Sequence, residues 1–307
     1  MITIIGAGRV GSAVAFLCGS AGLDNITLVS RDEKKAMGTA LDISNTIPSN
    51  SPISIVGTSD YSKIKNSDVL VVTASVKTHQ VSRSDIMLEQ AMMIRDVARK
   101  ISSFSPDSKV LVVTNPVDVM TYLIQKVANL ASKNVLGVAS SLDSSRFRYL
   151  LAKKLGTNQS QISNAMVMGE HDDSMVPIFS QAKFGNDAIN ELLDERQKSQ
   201  ISADVKYYWK SLRDHNVISI FGIAKNTFDI IEAIIQNKKL HVCASVLSDG
   251  RYGFDNVCLG IPITVTKNGF FPTPEVLLDY DEKEQLHKSA DIVKNNITQV
   301  MEFLKSR

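Results

Sequence analysis

Short apolar runs alternate with longer amphipathic stretches along the first half of the chain. The apolar runs are rich in β-branched residues and predict strands, whereas apolar residues three and four positions apart predict helices. This alternation is typical of a parallel sheet whose strands are connected by helical crossovers. The predicted strands are residues 2–5, 26–29, 53–56, 69–73, 110–114 and 135–138, and the predicted helices include residues 10–21, 34–43 and 84–104.

The pattern changes after Leu142, where strands and helices no longer alternate regularly. We therefore predict an α/β fold in two parts: a Rossmann-type doubly wound parallel sheet over residues 1–140 and an α+β substrate-binding domain over residues 141–307. The elements predicted in the second part are a helix at 144–155, a strand-like run at 162–168, polar connections, a long helix near 223–235, β-rich stretches at 241–247 and 257–266, and a charged amphipathic helix over 281–304.

The composition indicates an ordinary globular protein with no nucleic-acid partner. Of the 307 residues, 44% are hydrophobic and 21% are charged, and the formal net charge is only +2. No stripe of lysine or arginine suggests nucleic-acid binding. The scattered cysteines Cys18, Cys243 and Cys258 do not have metal-ligand spacing, so we expect reduced core residues. Since no apolar run is long enough to span a membrane and no leader precedes the first strand, we expect a cytoplasmic protein.

A glycine motif at the end of the first predicted strand indicates a dinucleotide site. Gly6, Gly8 and Gly11 follow the strand and open the next helix, with Arg9 and Val10 inside the motif. The first glycine permits a tight turn, the second lets the backbone approach a pyrophosphate, and the third allows close helix–strand packing. The helix N-terminus adds N–H groups and a positive dipole. The alternative interpretation is a glycine-rich turn without a ligand.

The end of the second predicted strand decides between NAD and NADP. A carboxylate there accepts a hydrogen bond from the adenosine ribose and repels a 2′-phosphate. Ser30 stands where this acid is expected, and Arg31 follows it. A hydroxyl and a guanidinium suit a phosphate, because arginine forms charge-assisted and often bidentate bonds to it. We predict NADP or dual use of NADP and NAD; the alternative is that Asp32 does the work of the acid.

Three further segments carry a specific resemblance. They are Thr-Asn-Pro-Val-Asp at 114–118, Leu-Asp-Ser-Ser-Arg-Phe-Arg at 142–148, and Gly-Glu-His-Asp-Asp-Ser-Met-Val-Pro at 169–177. With the glycine motif and residues 34–42, they resemble the malate/lactate dehydrogenase family in order and spacing over essentially the whole chain. The resemblance implies reversible hydride transfer between NAD(P)H and the C2 carbon of a 2-oxo or 2-hydroxy dicarboxylic acid. Oxaloacetate and malate are the substrate pair that we expect. Lactate or another 2-hydroxy acid is the alternative.

This chemistry needs a proton carrier, a group that orients it and a cation for the substrate carboxylate. His171 suits the first role because imidazole titrates near neutral pH. Asp143 is suited to accept from its other ring nitrogen and to favour the protonated ring. Arg146 lies one helical turn from Asp143 and presents a planar fork to a carboxylate. The family resemblance implies the same roles for these three positions.

Other roles rest on the resemblance alone. It implies that Arg83, beside the loop 75–82, polarises the substrate carbonyl, and that Asn115 hydrogen-bonds the substrate oxygen and lies beside the nicotinamide. Thr73 and Ala74 are assigned to the cofactor site. The loop is one residue shorter than the family pattern, so either Lys77 or Thr78 stands at the position that selects the substrate. Lys77 keeps the positive charge that favours a dicarboxylate but lacks the arginine fork.

Several departures leave the function open. Asp172 replaces a glycine after the histidine, and we expect it to raise the pKa of His171 if it points inward. Lys225 and Asn226 stand where the family has small residues. A catalytically silent dinucleotide-binding homologue is one alternative, and the related NAD-dependent glycosidase type, which needs metal ligands, is another. The resemblance also implies a homodimer or a homotetramer.

Overall fold

The molecule is built on short, mostly buried strands. The computed structural model describes the backbone of residues 1–76 and 83–307, and the side chains of the same residues except 83 and 84. The strands, β1–β14 in chain order, are Ile2–Ile5, Ile26–Val29, Ile55–Thr58, Val69–Val72, Lys109–Val112, Val135–Gly137, Ile162–Ser163, Met166–Met168, Val176–Ile178, Lys183–Phe184, Asp187–Ala188, Leu240–Asp249, Asp255–Thr266 and Gly269–Pro272.

Helices cover both faces of the central sheet and most of the second part. The helices, α1–α10 in chain order, are Arg9–Ser20, Glu33–Ser44, Arg83–Phe104, Val117–Ala128, Ser140–Lys154, Ile189–Leu192, Glu195–Lys206, Tyr208–Asp214, Phe221–Ile235 and Tyr280–Lys305. Their order confirms the predicted alternation in the first half of the chain.

A single large sheet runs through the described residues, with nine strands in the order β14-β13-β12-β6-β5-β4-β1-β2-β3. The strands from β3 to β6 pair in parallel, which gives the Rossmann order 3-2-1-4-5-6. The order reverses between β1 and β4, and ligands of such sheets bind at the carboxyl ends of the strands near this point. The predicted Rossmann-type fold class is confirmed.

The parallel strands lie in the core because helices cover them on both sides. Every residue of β1, β2 and β4 is buried. Strands buried on both faces are continuous apolar runs rather than alternating ones, which explains why these segments were easy to recognise in the sequence. Fully buried side chains from neighbouring strands form the centre of this core, among them Ile4, Leu28, Leu70 and Leu111.

The antiparallel strands β12 and β13 extend the same sheet. Ser245 of β12 pairs with Gly137 of β6, and β12 pairs with β13 in a long hairpin. A Cβ atom at position 137 would lie 2.6 Å from Thr121 Oγ1 and 3.0 Å from Ser245 Cβ, so glycine is required for this close approach. The sheet therefore takes strands from both predicted parts of the chain. The division into residues 1–140 and 141–307 stays a prediction.

A second apolar cluster fixes the helix α5 against the second part of the chain. Phe147 and Leu151 of α5 pack with Phe179 and Val205 in this cluster. The rings of Phe147 and Phe179 meet edge to face with centroids 4.9 Å apart. Since α5 also carries Asp143 and Arg146, this packing holds two predicted site residues on a rigid element.

Two predictions for the second part were wrong. The single strand predicted at 162–168 is interrupted by Asn164 at φ 53°, and β7 and β8 belong to different sheets. The polar connections predicted between residue 168 and the helix near 223 contain the strands β9–β11 and the helices α6–α8. In α7 only Ile201 and Val205 are buried, one turn apart, so its apolar pattern is too sparse to indicate a helix. Its start is fixed by a capping box between Asp194 and Gln197.

None of the helices in the described part of the chain combines the length and the apolar character that crossing a membrane requires.

Candidate active site

The predicted cofactor residues meet at one edge of the sheet. The strands β1, β2, β4 and β5 are parallel neighbours, so their carboxyl ends lie at the same edge. Gly6, Ser30 and Thr73 each come directly after one of these strands, and Asn115 follows β5. Asn115 is exposed there, before a cis peptide bond to Pro116.

The glycine turn between β1 and α1 is shaped by contacts that a side chain would break. Gly6 has φ 120°, and a Cβ atom there would lie 2.7 Å from both Ala74 N and Thr73 Oγ1. At Gly11 a Cβ atom would lie 2.0 Å from the carbonyl oxygen of Gly6. At Gly8, in contrast, a Cβ atom would meet nothing within 4 Å. The fold therefore requires Gly6 and Gly11, whereas the space beside Gly8 is open.

These residues fit the pyrophosphate of a dinucleotide. Gly8 is the N-cap of α1 and supplies no side-chain cap, so the first N–H groups of the helix are left for a ligand. Arg9, exposed, and Val10, packed on the core, are the first two residues of the helix. The bare glycine beside a helix N-terminus is the feature that lets phosphate oxygens approach the backbone.

Polar side chains anchor the backbone after β4. Thr73 Oγ1 donates to the carbonyl oxygen of Gly6 at 2.9 Å, which ties this segment to the glycine turn. The carbonyl oxygen of Ala74 accepts from Thr114 Oγ1 at 2.7 Å and from Gln90 Nε2 at 3.2 Å. Gln90 is buried, and its Oε1 accepts from the backbone N–H of Val76 at 3.1 Å. The start of the loop predicted to reach the substrate is thus fixed to the glycine turn, to α3 and to the segment after β5.

At the end of β2 the structure places a hydroxyl and a guanidinium. Ser30 Oγ accepts from the backbone N–H of Asp32 at 3.2 Å, and Arg31 is exposed. Asp32 is the N-cap of α2, where its Oδ1 accepts from the backbone N–H of Lys35 at 3.0 Å. Burial raises the pKa of nearby Tyr61, and the positive charge of Arg31 opposes this rise. Asp32, the acid two residues after Ser30, is therefore engaged in capping a helix.

The strongest cluster of predicted catalytic residues is centred on His171. His171 Nδ1 lies 2.5 Å from Asp143 Oδ2, and Arg146 Nη1 donates to the other oxygen, Asp143 Oδ1, at 3.1 Å. Asp143 is only 1% exposed. No described residue hydrogen-bonds to His171 Nε2, so this nitrogen is the one available to a substrate. The structure thus brings together the three residues predicted as proton carrier, orienting acid and carboxylate-binding arginine.

The charges around the ring favour its protonated form. Burial alone disfavours the charged imidazole, but the negative charge and the hydrogen bond of Asp143 and the charge of Asp118 outweigh it. Arg146 acts in the opposite direction. The net effect raises the pKa of His171 above its ordinary value. A ring that stays protonated near neutral pH is suited to give a proton to a carbonyl oxygen.

Arg146 is held from three sides. Besides its bond to Asp143, its Nη2 donates to Ser219 Oγ at 3.3 Å, and its guanidinium carbon lies 5.0 Å from the ring centroid of Tyr208. An arginine packed on an aromatic ring is desolvated and fixed in orientation. The structure therefore adds Ser219 and Tyr208 to the predicted site. No motif in the sequence points to either residue.

The backbone before His171 is held by the sheet and by the helix α10. Gly169 exchanges two backbone hydrogen bonds with Gly260 of β13, at 2.9 and 3.0 Å. The backbone N–H of Glu170 donates to Ser289 Oγ at 2.7 Å, and Ser174 Oγ donates to Glu170 Oε2 at 2.5 Å. Burial is the main cause that raises the pKa of Glu170 to about 7. The sequence signal for this contact is weak, since Ser289 lies far along the chain in a helix.

Two departures from the family pattern acquire a physical account. Asp172 is exposed rather than pointing inward, and its charge raises the pKa of Glu170. The predicted effect of Asp172 on the pKa of His171 required a side chain that points inward, and this condition is not met. On α9, Lys225 forms an ion pair with Asp229, and Asn226 Oδ1 accepts from Ser145 Oγ at 3.2 Å. These polar residues are satisfied along α9 and against α5.

Three further predictions concern the substrate loop, the cysteines and possible metal ligands. Lys77 and Thr78, and the side chain of Arg83, lie outside the described residues. The three cysteines are free and buried. Among the described residues, no group of three or more His, Cys, Asp or Glu side chains is arranged to hold a metal ion.

In a comparison with known proteins, two family models match this chain. The model of the lactate/malate dehydrogenase NAD binding domain matches residues 1–137. The model of the lactate/malate dehydrogenase alpha/beta C-terminal domain matches residues 140–304. Together they cover nearly the whole chain.

Individual relatives match over the full length. The malate dehydrogenase of Staphylococcus carnosus is 33% identical over an alignment 307 positions long that covers 96% of this chain and 96% of that protein. The crystal structure of lactate dehydrogenase from Cryptosporidium parvum, complexed with lactic acid and nicotinamide adenine dinucleotide, has a TM-score of 0.92 at 31% identity and covers 97% of both chains. The malate dehydrogenase structure from Salinibacter ruber has a TM-score of 0.92 at 29% identity and covers 99% of both chains.

Proposed function

The chain belongs to the lactate/malate dehydrogenase family, and from this premise we propose that it interconverts oxaloacetate and malate with a nicotinamide dinucleotide. Family membership makes it a dinucleotide-dependent oxidoreductase that acts on a small molecule. The observation that carries the proposal is the continuous contact from His171 through Asp143 to Arg146. The curated relatives, which are malate dehydrogenases, favour malate over lactate.

His171 is the proton carrier in this proposal. The bound dinucleotide supplies or accepts the hydride at C2 of the substrate. In the direction of reduction, His171 Nε2 gives its proton to the C2 oxygen, and the ring becomes neutral. Asp143, which accepts at Nδ1, keeps Nε2 directed at the substrate and stabilises the protonated ring before transfer. In the direction of oxidation the same neutral ring takes the proton from the hydroxyl group.

Arg146 binds the carboxylate next to the reacting carbon. Its guanidinium is fixed by Asp143, Ser219 and Tyr208, so little side-chain entropy is lost when a carboxylate binds. Asn115 lies exposed at the carboxyl end of β5 and is assigned to the substrate oxygen and the nicotinamide. By family resemblance, Arg83 polarises the substrate carbonyl.

For the second carboxylate of oxaloacetate we assign Lys77, with Thr78 as the alternative. A Lys77→Ala variant is expected to lower kcat/KM for oxaloacetate by roughly tenfold or more, because a charged hydrogen bond contributes about 1.5–3 kcal/mol. The rate with pyruvate, which has no second carboxylate, is expected to change little. Thr78→Ala is the matched control. A selective loss of oxaloacetate turnover in Thr78→Ala and not in Lys77→Ala would reverse the assignment.

For the cofactor we propose use of NADP(H), alone or together with NAD(H). An NAD-binding domain is part of the family assignment. Support for the phosphate comes from Ser30 and the exposed Arg31, and from Asp32, which caps α2 rather than standing free. An Arg31→Ala variant is expected to raise the KM for NADPH by roughly tenfold, the loss of one charge-assisted hydrogen bond, and to leave that for NADH nearly unchanged. Lys34→Ala, at an exposed position on α2, is the control. Equal effects on both cofactors would contradict the assignment.

Two further statements rest on the family alone. We propose that the chain forms a homodimer or a homotetramer and that it acts in the cytoplasm. Light scattering of the purified full chain measures the first, and fractionation of the source cells measures the second. A monomer that turns over oxaloacetate would contradict the assembly.

The proposed reaction is tested first by initial rates with the purified protein. Oxaloacetate and pyruvate are each offered with NADH and with NADPH, and loss of the reduced nicotinamide is followed by its absorbance. We expect oxaloacetate to be the better substrate. A preference for pyruvate would replace this reading with the lactate alternative. Tight dinucleotide binding without turnover of either acid would establish the silent homologue instead.

A further inference from the structure

A second buried carboxylate lies beside His171. Asp118 is in the first turn of α4 and only 3% exposed. Its Oδ2 accepts from the backbone N–H of His171 at 2.9 Å. Asp143 holds the ring of the same histidine from α5. Two acids from two different helices therefore meet one histidine, one at its backbone and one at its imidazole.

The groups around Asp118 do not fully compensate the negative charge of its carboxylate. Its Oδ1 is buried and makes no hydrogen bond of normal geometry with a described residue, and the same is true of Ser245 Oγ on β12. The Ser245 hydroxyl still faces the carboxylate closely enough to lower its pKa. The hydrogen bond from His171 comes from its backbone N–H, so no charged donor among the described residues is hydrogen-bonded to Asp118. A buried carboxylate in this position takes up a proton unless a positive charge near it stabilises the ionised form.

The charged groups that face Asp118 come from three directions. Asp143 on α5 repels the negative charge, whereas the imidazole of His171 attracts it when protonated. Asp118 in turn raises the pKa of Glu170 and of the buried thiol of Cys258 on β13. Among these groups, His171 is the one whose positive charge is gained or lost near neutral pH.

Burial and these partners give the acid an unusual titration. Burial raises the pKa of Asp118 to about 6, although the nearby Ser245 hydroxyl and the hydrogen bond from the His171 backbone lower it. The carboxylate of Asp118 in return raises the pKa of His171. The two groups are thus linked: each stabilises the charged form of the other. With His171 and Arg146 positive and Asp118 and Asp143 negative, the four charges balance.

We propose that Asp118 is a positioning residue for proton transfer, which holds the backbone of His171 through Oδ2 and, together with Asp143, balances the charge of the protonated imidazole. This inference rests on the proposed function for its kinetic consequence. When the ring gives its proton to the C2 oxygen, the balance around the two acids is lost. Reprotonation of the ring before the next turnover restores it, so Asp118 favours the reduction-competent form of the enzyme.

The direct test is a histidine titration of the full chain by NMR. The ring resonance of His171 is assigned by its absence in a His171→Asn variant. Asp118→Asn keeps an oxygen for the backbone N–H but removes the charge, so we expect the His171 ring to lose its proton at lower pH than in the wild type. Asp291→Asn, the same change at an exposed position of α10, is the control and is expected to leave the titration unchanged.

The kinetic test separates this inference from the proposed function. In Asp118→Asn we expect kcat/KM for oxaloacetate reduction to fall roughly three- to tenfold above neutral pH, since one unit of pKa is tenfold in population. The loss is expected in kcat more than in KM and to diminish at lower pH. A wild type that does not reduce oxaloacetate overturns the proposed function, whereas an unchanged His171 titration in Asp118→Asn overturns this inference.

A second variant covers a failure of Asp118→Asn to fold. Ser245→Ala removes the hydroxyl that lowers the pKa of Asp118, and therefore leaves less negative charge beside His171 at a given pH. We expect a smaller displacement of the His171 titration in the same direction. A displacement to higher pH, or none, would contradict the role of Asp118.

Discussion

The dinucleotide edge and the proton-transfer cluster lie in the same molecule but are built differently. At the dinucleotide edge the important features are backbone: Gly6 and Gly11 touch neighbouring main chain, and Gly8 leaves open space. At the proton-transfer cluster the important features are side chains: Asp118, Asp143, Arg146 and His171 come from three separate segments and meet in the interior. The first site depends on positions that lack a side chain, and the second depends on charged side chains.

This difference predicts how each site fails. A side chain added at Gly6 or Gly11 meets neighbouring backbone, so we expect the fold and the cofactor site to be lost together. A side chain removed from the cluster leaves the fold nearly intact but removes a proton or a charge. Loss of cofactor binding in variants of the cluster would contradict this contrast. Glycine variants that change stability and cofactor binding separately would support it further.

The largest expected effect is that of His171→Asn. Loss of a positioned general acid or base lowers kcat by roughly 10²–10⁴-fold. Dinucleotide affinity is expected to stay within about twofold of the wild type, because the described hydrogen bonds of His171 are to Asp118 and Asp143 and not to the glycine turn. Rates and a dinucleotide titration of the same preparation measure both. Weaker cofactor binding in this variant would show that the two sites are not separate.

The next effect separates two glycines of one turn. Gly11→Ala places a Cβ atom 2.0 Å from the Gly6 carbonyl oxygen, so we expect the free energy of unfolding to fall by about 3 kcal/mol. Gly8→Ala meets nothing within 4 Å, and we expect its stability to change by less than about 0.5 kcal/mol. Its dinucleotide affinity is nevertheless expected to fall, since the methyl group occupies space needed by the pyrophosphate. Denaturant unfolding and dinucleotide titration check both; unchanged affinity in Gly8→Ala would contradict the proposed cradle.

A smaller effect is expected where α10 contacts the loop before His171. Ser289→Ala leaves the backbone N–H of Glu170 without its acceptor, so we expect a loss of about 1–3 kcal/mol in unfolding free energy. We also expect a lower kcat, because the segment that carries His171 loses a fixed point. Thr298→Ala on the same helix, whose hydroxyl bonds only to its own helix, is the control. Equal losses in both variants would show that the contact is not specific.

The smallest effect is in the pH dependence of stability. Burial raises the pKa of Glu170 from 4.5 to about 7, so the folded chain binds this proton more tightly than the unfolded chain does. The free energy of unfolding therefore falls as the pH rises from about 4 to 7. Glu170→Gln is expected to reduce this fall by roughly 1 kcal/mol, whereas the exposed Glu284→Gln is not. Denaturant midpoints across this range give the answer, and parallel curves for wild type and Glu170→Gln would exclude the effect.

The sequence predicts the dinucleotide edge better than it predicts the rest of the site. Gly6, Gly8 and Gly11 are close together in the chain, and their strand and helix have strong apolar patterns. The triad of Asp143, Arg146 and His171 was found through local motifs, and the structure brings these residues into contact. Their chemical roles stay proposals, as does the preference for NADP.

Other contacts depend on tertiary packing that no local pattern describes. Ser289 and Ser219 are ordinary serines in the sequence, and their hydroxyls become important only because α10 and the start of α9 reach the site. Asp118 lies inside a recognised motif, yet its burial against His171 follows from the packing of α4 against β12 and β13. The helix α7 was missed because its buried face consists of two residues.

The pairing of β12 with β6 has a mechanical consequence. The hydrogen bonds of one continuous sheet connect the cofactor-binding strands to β13, and β13 in turn grips Gly169, two residues before His171. Backbone hydrogen bonds of one sheet therefore fix the position of His171 relative to the parallel strands, without an intervening hinge. A fragment that ended after β6 would leave β6 as an unprotected edge strand, prone to pair with other chains.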